Sequence, residues 1–182
     1  MNILFDLDGV LVDFAELHRN AFIQAWNSVH PTNPLDEMFH AKHLEARSTR
    51  QKLAILSTLF EGQEIKANEV SALKQEITQE KLKTAHVYTK TREALAFLKA
   101  RGARICVCSN SIRATVEASL QKLAPLTSFD LILSNEDVIE PKPNPEIYLK
   151  AIATLGVDPK DVLVFEDSTV KNRSPGRRPS SC

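Results

Sequence analysis

The chain has 182 residues, of which 43% are hydrophobic and 25% charged, the ordinary composition of a globular protein of one or two domains. Its 23 basic and 23 acidic residues balance, so the overall charge attracts neither nucleic acid nor an anionic membrane surface. No apolar run approaches the length that spans a bilayer, and we therefore expect neither a nucleic-acid nor a membrane partner.

The N-terminus and the cysteines predict a cytoplasmic protein. Asp6 comes too early for a signal peptide. Cys106 and Cys108 lie two apart in an apolar segment, where their side chains point the same way and favour strand packing over a disulfide. His40 and His43 are three apart, but no third metal ligand is evident, so a polar helix face explains them better than a metal site.

In chain order, the apolar residues 3–5 predict a buried strand that ends in a turn. Residues 15–29 carry an apolar stripe at helical spacing, and further helical patterns continue to about residue 85. Helices then alternate with strands predicted at 104–108, 131–133 and 162–165. This alternation predicts an α/β fold with a doubly wound parallel sheet, interrupted after its first strand by a separate helical lobe.

Four acidic residues follow two of these strands. Asp6 and Asp8 come at the end of the first strand, and Glu166 and Asp167 at the end of the last. The carboxyl ends of parallel strands meet at one edge of the sheet, where ligands bind. Carboxylates gathered there repel one another unless a cation intervenes, and hard oxygen ligands suit Mg²⁺. The sequence therefore predicts a magnesium site at this edge.

Groups that suit a phosphate lie near the same edge. Ser109 ends the second strand and leads into a helix, whose free N–H groups favour an anion. Asn110 is either a phosphate ligand or a helix N-cap. Lys142 lies between two prolines that restrict its backbone, and its ammonium group can neutralise both a phosphate and the neighbouring carboxylates.

Four motifs in this order resemble those of the haloacid dehalogenase superfamily. They are DLDGVLVD at residues 6–13, SNS at 109–111, KP at 142–143 and EDS at 166–168. A single Asp-x-Asp is weak, but four motifs in order at strand ends are specific. The resemblance covers residues 1–168 and implies a Rossmann-like core formed by residues 1–13 and 86–170, with a helical cap domain at residues 14–85.

The resemblance also implies roles for the residues. Asp6 is the expected nucleophile that forms an aspartyl-phosphate, and Asp8 the acid and base. Mg²⁺ is expected on Asp6, the backbone carbonyl of Asp8, and Asp167, with Glu166 close by. Ser109 and Lys142 are expected to hold phosphate oxygens. From the cap, Arg47 and Arg50 are candidates for substrate contact, although solvated arginines on a helical lobe are commoner.

The second aspartate, Asp8, is typical of the phosphatase and phosphomutase branches of the superfamily. An insert directly after the first motif resembles the caps of beta-phosphoglucomutases and phosphoglycolate phosphatases. We therefore expect a monomeric Mg²⁺-dependent phosphatase that acts on a small phosphorylated metabolite. A phosphomutase stays open as an alternative, because it shares the same intermediate and differs only in the acceptor.

The last twelve residues, 171–182, contain four basic residues and neither acidic nor aliphatic side chains, which predicts a disordered tail. In the superfamily the fourth motif is followed by a helix and another strand, so the resemblance implies that both are missing here. The sheet edge beside residues 162–165 is then expected to lie open. A catalytically impaired variant, with a binding role or none, is the corresponding alternative to an active enzyme.

Overall fold

The structure of the protein is a computed structural model that describes residues 1–45 and 47–167. Within these residues four strands form one parallel sheet in the order β3-β2-β1-β4. The strands are β1 (Asn2–Phe5), β2 (Arg104–Cys108), β3 (Leu131–Leu133) and β4 (Val162–Phe165). The predicted fold class is confirmed, and each predicted strand lies within a residue of its expected position.

Helices occupy most of the remaining described chain. They are α1 (Ala15–Val29), α2 (Glu37–His43), α3 (Thr49–Leu59), α4 (Ala67–Thr84), α5 (Thr89–Ala100), α6 (Arg113–Gln121) and α7 (Glu146–Leu155). The first four lie between residues 15 and 84, inside the predicted cap of residues 14–85. The division into a core and a cap domain stays a prediction. No helix of the described chain is both long and apolar enough to cross a membrane.

A capping box fixes the start of α3 on the wall of the later site. The Ser48 hydroxyl accepts a hydrogen bond from the Gln51 N–H at 3.3 Å, and the Gln51 side chain accepts one from the Ser48 N–H at 2.9 Å. Both donors would otherwise lack a partner within the helix. The register of α3, and with it the direction of its side chains, follows from this local pairing.

The alternation of side chains along the strands divides the sheet core into two faces. Ile3 and Ile105 belong to the cluster that α5 and α6 cover. Leu4, Cys106 and Cys108 belong to the opposite cluster, which α7 covers. The two cysteines are buried, as strand packing predicts, and burial raises the pKa of the Cys106 thiol to about 11.

A third cluster fills the space between the first four helices. It consists of Phe22, Ala25, Trp26, Leu35, Leu44, Leu53, Leu56 and Val70. The helices α1 and α4 pack along each other and extend from this cluster to the sheet, where Leu82 of α4 is part of the sheet core. The helical lobe is thus joined to the sheet by continuous helices as well as by its connecting loops.

Among the described strands, β4 lies at one edge of the sheet. Its side chains Leu163, Val164 and Phe165 are 51%, 43% and 48% exposed, which is unusual for apolar residues of a parallel sheet. The expected open edge beside this strand stays a prediction. The predicted disordered tail at 171–182 and the expected missing helix and strand lie outside the described residues.

Candidate active site

The predicted site residues line one cavity of about 540 Å³ at the carboxyl edge of the sheet. Parallel pairing places the ends of β1, β2 and β4 side by side, and the Asp6 N–H continues the ladder by donating to the Phe165 carbonyl at 2.9 Å. The predicted residues on its wall are Asp6, Asp8, Arg47, Arg50, Ser109, Asn110, Lys142, Glu166 and Asp167.

Lys142 lies at the centre of the polar contacts. Its Nζ donates to Asp6 Oδ1 at 2.7 Å and to Glu166 Oε2 at 2.9 Å. It also lies 4.8 Å from the centroid of the Tyr148 ring, whose hydroxyl donates to the same Glu166 oxygen. One ammonium, whose side chain is 11% exposed, therefore joins the acidic groups of the first and last strands, an arrangement suited to the predicted neutralising role.

The carboxylates nevertheless remain short of positive charge. Burial raises the pKa of Asp6 to about 6, even though Lys142 opposes the shift. The pKa of Asp167 is also raised, by burial first and then by the Glu166 charge. The positive groups of the described chain thus offset the negative charges of these carboxylates only in part. A cation bound here would stabilise their ionised forms.

Three of the carboxylates fit such a cation. One oxygen each from Asp6, Glu166 and Asp167 lies within 4.8 Å of the other two, which is a hard-oxygen set suited to Mg²⁺. The Asp8 carboxylate is not part of this described cluster; its predicted contribution is its backbone carbonyl. Glu166 also accepts hydrogen bonds from Lys142 and Tyr148. Its expected position close to the cation therefore stays a prediction that includes both direct and indirect contact.

Gly9 makes room for this cluster. Its φ is +82°, in the left-handed region, and a Cβ built there would overlap the Asp167 carboxylate. Any other residue would therefore displace Asp167 and strain the backbone. The close approach of Asp167, which follows the last strand, therefore explains why the first motif has a glycine at position 9.

Asp8 lies on the same loop, next to a helix. The loop is closed by the Gly9 N–H donating to the Val12 carbonyl at 2.7 Å. Asp8 Oδ1 lies 3.4 Å from His18 Nε2 of α1, and neither atom has a hydrogen bond within the described chain. His18 could not be identified from the sequence, because a lone histidine near the start of a helix carries no signal of its own.

Ser109 and Asn110 lie between the carboxylates and the lysine loop. The buried Ser109 hydroxyl accepts from the Ser111 N–H at 3.1 Å. The Asn110 amide donates to the Lys142 carbonyl at 3.1 Å and accepts from the Lys142 N–H at 2.9 Å. Asn110 is not the N-cap of α6, since that position is Ile112. Its amide positions Lys142, and its contact with phosphate stays a prediction.

The helical lobe supplies the other wall, which is basic. Arg47 and Arg50 are exposed and line the cavity, and Lys52 and Lys74 line it without having been predicted. His40 was wrongly expected on a polar helix face; it is 1% exposed and bonds to Lys52 at 2.9 Å between Nε2 and Nζ. Helical periodicity alone could not place it, because α2 buries this position against α1 and α3.

Several known proteins are similar to this chain. The chain is 31% identical over 170 residues to a phosphorylated carbohydrates phosphatase of Thermotoga maritima, covering 91% of this chain and 76% of that protein. It is 26% identical over 168 residues to the pyrophosphatase PpaX of Bacillus cereus, covering 91% and 74%. A solved structure of a CbbY variant from Rhodobacter sphaeroides, in complex with xylulose-1,5-bisphosphate, is similar with a TM-score of 0.82. That likeness has 25% identity and covers 92% of this chain and 77% of the other.

The family relationship follows from the extent of these matches. The family model of the haloacid dehalogenase-like hydrolases matches residues 3–174, which includes the four described strands except Asn2, together with the four motifs. Both the acidic edge and the lysine loop fall inside the match. The chain belongs to the haloacid dehalogenase-like hydrolase family.

Proposed function

We propose that the protein is a Mg²⁺-dependent phosphatase that hydrolyses a small phosphorylated metabolite through an aspartyl-phosphate on Asp6. The observation that carries the proposal is the Lys142 ammonium between Asp6 and Glu166, beside the cluster of three carboxylates. A buried carboxylate that faces a cavity and contacts a fixed cation is suited to attack an electrophile.

In the first step an Asp6 oxygen attacks phosphorus, a P–O bond forms to Asp6, and the ester P–O bond breaks. Asp8 gives its proton to the departing oxygen. In the second step Asp8 takes a proton from water while that water attacks phosphorus, and Asp6 leaves as a carboxylate with inorganic phosphate as product. The 3.4 Å approach of His18 Nε2 to Asp8 Oδ1 supports a role for this ring in positioning the Asp8 side chain.

The surroundings of Asp6 support charge stabilisation during both steps. Lys142 and Ser109 are placed to hold the phosphoryl oxygens, and Asn110 holds the lysine loop in register. Asp6, Asp167, the Asp8 carbonyl and, directly or through its neighbours, Glu166 would hold Mg²⁺, which when bound neutralises phosphoryl charge. Phosphoryl transfer depends mainly on such positioning and charge, so a small set of groups suffices.

The helices α1 to α4 cover the site in this proposal. Residues 14–85 are the cap domain, and Arg47 and Arg50 contact the part of the substrate that does not react. Water is the favoured acceptor over a sugar hydroxyl because two relatives are named as a phosphatase and a pyrophosphatase. Product analysis separates these outcomes, since a mutase would release no inorganic phosphate.

The direct test is hydrolysis of p-nitrophenyl phosphate with Mg²⁺. The wild-type chain is expected to turn it over, and Asp6→Asn to lose at least about a thousandfold in kcat, as removal of a nucleophile does. Asp13→Asn is the matched control, because Asp13 is an exposed aspartate at the end of the same motif. Equal activity of wild type and Asp6→Asn, or full activity in excess chelator, would overturn the proposal.

A further inference from the structure

Lys52 is a buried cation on the wall of the cavity with no ion pair among the described residues. It belongs to α3, is 9% exposed and lines the same cavity as Asp6. Its contacts are His40 Nε2 at 2.9 Å and the face of the Phe22 ring, 5.1 Å from the centroid. A buried ammonium normally contacts a carboxylate directly, so its lack of such a contact needs an explanation.

The partner of Lys52 is a histidine that can only accept. An ammonium is a donor with no lone pair, so His40 Nε2 must be the acceptor and Nδ1 must carry the ring proton. Nδ1 lies 3.4 Å from Glu45 Oε2. Burial first, and then Lys52, lower the pKa of His40 to about 4, so the ring is neutral near pH 7. The neutral His40 ring therefore holds the Lys52 ammonium in place but does not offset its charge.

A second ammonium faces the same cavity. Burial lowers the pKa of Lys52 to about 8, and the charge of Lys74 is the next cause; the Glu45 charge raises this pKa but does not outweigh them. Burial also lowers the pKa of Lys74, although the Asp8 charge opposes this shift. Lys52 remains mostly protonated at neutral pH, so two like charges share one cavity wall and repel each other. An anion bound between them would relieve the repulsion and give Lys52 the ion pair that it lacks.

We propose that Lys52, together with Lys74, binds a second anionic group of the substrate, with His40 positioning Lys52. The proposal rests on the proposed function in placing the reacting phosphoryl group at Asp6. It assigns the substrate to metabolites with two anionic ends, either bisphosphates or phosphorylated carboxylic acids, in preference to simple monophosphates. The cavity volume of about 540 Å³ is within the usual range for a small ligand.

Equilibrium binding tests this assignment without turnover. The probes are pentylphosphonate, pentane-1,5-bisphosphonate and 5-phosphonopentanoate, whose C–P bonds are not phosphate esters. Calorimetry with Mg²⁺ should show that the wild-type chain binds at least one two-ended probe about tenfold to a hundredfold more tightly than pentylphosphonate, as expected for hydrogen bonds to a charged group. The two-ended probe with the larger gain identifies the second group as phosphate-like or carboxylate.

Substitutions test whether Lys52 produces this gain in affinity for the two-ended probes. Lys52→Met and Lys52→Gln should lose most of it and keep the affinity for pentylphosphonate within about twofold. Lys42→Met is the matched control, since Lys42 lies on the neighbouring α2, is exposed and does not line the cavity. His40→Phe should reduce the gain in the same selective way, because its loss leaves Lys52 unpositioned. Thermal unfolding verifies that each variant is folded.

Three results would overturn the inference. These are no gain for either two-ended probe, a full gain in a folded Lys52 variant, or an equal loss in Lys42→Met. Failure of the proposed function would look different. In that case wild type would not hydrolyse p-nitrophenyl phosphate, while the binding gain and its dependence on Lys52 would persist.

Discussion

At the scale of single residues, the close approach of Gly9 to Asp167 provides a specific test of the cation site. Gly9→Ala should displace the Asp167 carboxylate and weaken Mg²⁺ binding by about tenfold or more, the usual effect of disturbing a ligand's surroundings. Calorimetric titration with Mg²⁺ measures the change directly. Gly62→Ala is the control, because Gly62 has a φ of +85° but a Cβ added there would meet nothing within 4 Å.

Both glycine variants should lose about 1 kcal/mol of stability from the strained backbone. Only Gly9→Ala should also lose Mg²⁺ affinity. An unchanged affinity in folded Gly9→Ala would exclude Asp167 from the cation site. A loss of affinity in both variants would mean that backbone strain, rather than the displaced carboxylate, is the cause.

Asp8 is tested by the leaving group of the substrate. Asp8→Asn should slow hydrolysis of an alkyl phosphate by about a hundredfold or more, because an alkoxide must be protonated as it leaves. p-Nitrophenolate leaves without a proton, so its release should slow far less. Pre-steady-state kinetics should then show a burst of p-nitrophenol, since the second step still requires a base. Equal slowing of both esters would argue against Asp8 as the acid.

At the scale of secondary-structure elements, Asp137 ties the loop after β3 to α6. Its Oδ2 accepts from the Ser134 N–H at 2.7 Å, from the Ser134 hydroxyl at 2.8 Å and from Arg113 at 2.7 Å. Burial raises the pKa of Asp137, but the Ser134 bonds and the Arg113 charge outweigh it, and the net pKa is lowered. The ionised carboxylate therefore stabilises the folded chain.

Asp137→Ala should lower the free energy of unfolding by about 1–3 kcal/mol at pH 7. The folded-state pKa lies below the usual 3.8, so this contribution is present above pH 3.8 and is lost as the pH falls through the folded-state value. Denaturant unfolding across this range measures it. Asp161→Ala, at an exposed aspartate, should change stability by less than about 0.5 kcal/mol. A loss of stability in Asp137→Ala that does not change with pH would contradict this interpretation.

At the scale of the whole molecule, α1 and α4 link the helical lobe to the sheet. Trp26 is the single tryptophan of the chain and lies in the core of the lobe, whereas Leu82 extends α4 into the sheet core. This continuity predicts one cooperative unfolding transition. Tryptophan fluorescence and far-UV circular dichroism should give the same midpoint in urea. A fluorescence transition at clearly lower urea would show that the lobe unfolds independently.

Much of the fold could be predicted from periodicity, because each strand is a short apolar run bounded by turn residues. Strand β2 was predicted at its observed residues, and β4 likewise. Helix boundaries were less accurate where capping is not local. Asn68 is of a residue type that commonly caps helices, yet α4 begins one residue earlier, at Ala67, after Lys66, which provides no side-chain cap. Tertiary packing of α4 on α1, which the sequence does not express, decides that boundary.

The residues of the candidate site, too, could be predicted from the sequence only in part. Asp6, Ser109 and Glu166 could be predicted because each follows a strand, and parallel pairing brings strand ends together. His18 and Lys52 could not, because they reach the cavity from helices whose placement depends on long-range packing. A helix position carries no sign of which cavity its side chain will face.

The central claim is that Asp6 becomes phosphorylated during turnover. It is tested most directly by acid-quenching wild-type protein during hydrolysis of p-nitrophenyl phosphate with Mg²⁺, followed by peptide mass spectrometry. The account predicts one added phosphoryl group on the peptide that contains Asp6, labile to hydroxylamine as an acyl phosphate, and none in Asp6→Asn. Turnover by wild type with no phosphoryl group on that peptide, or with the group on another residue, would contradict it.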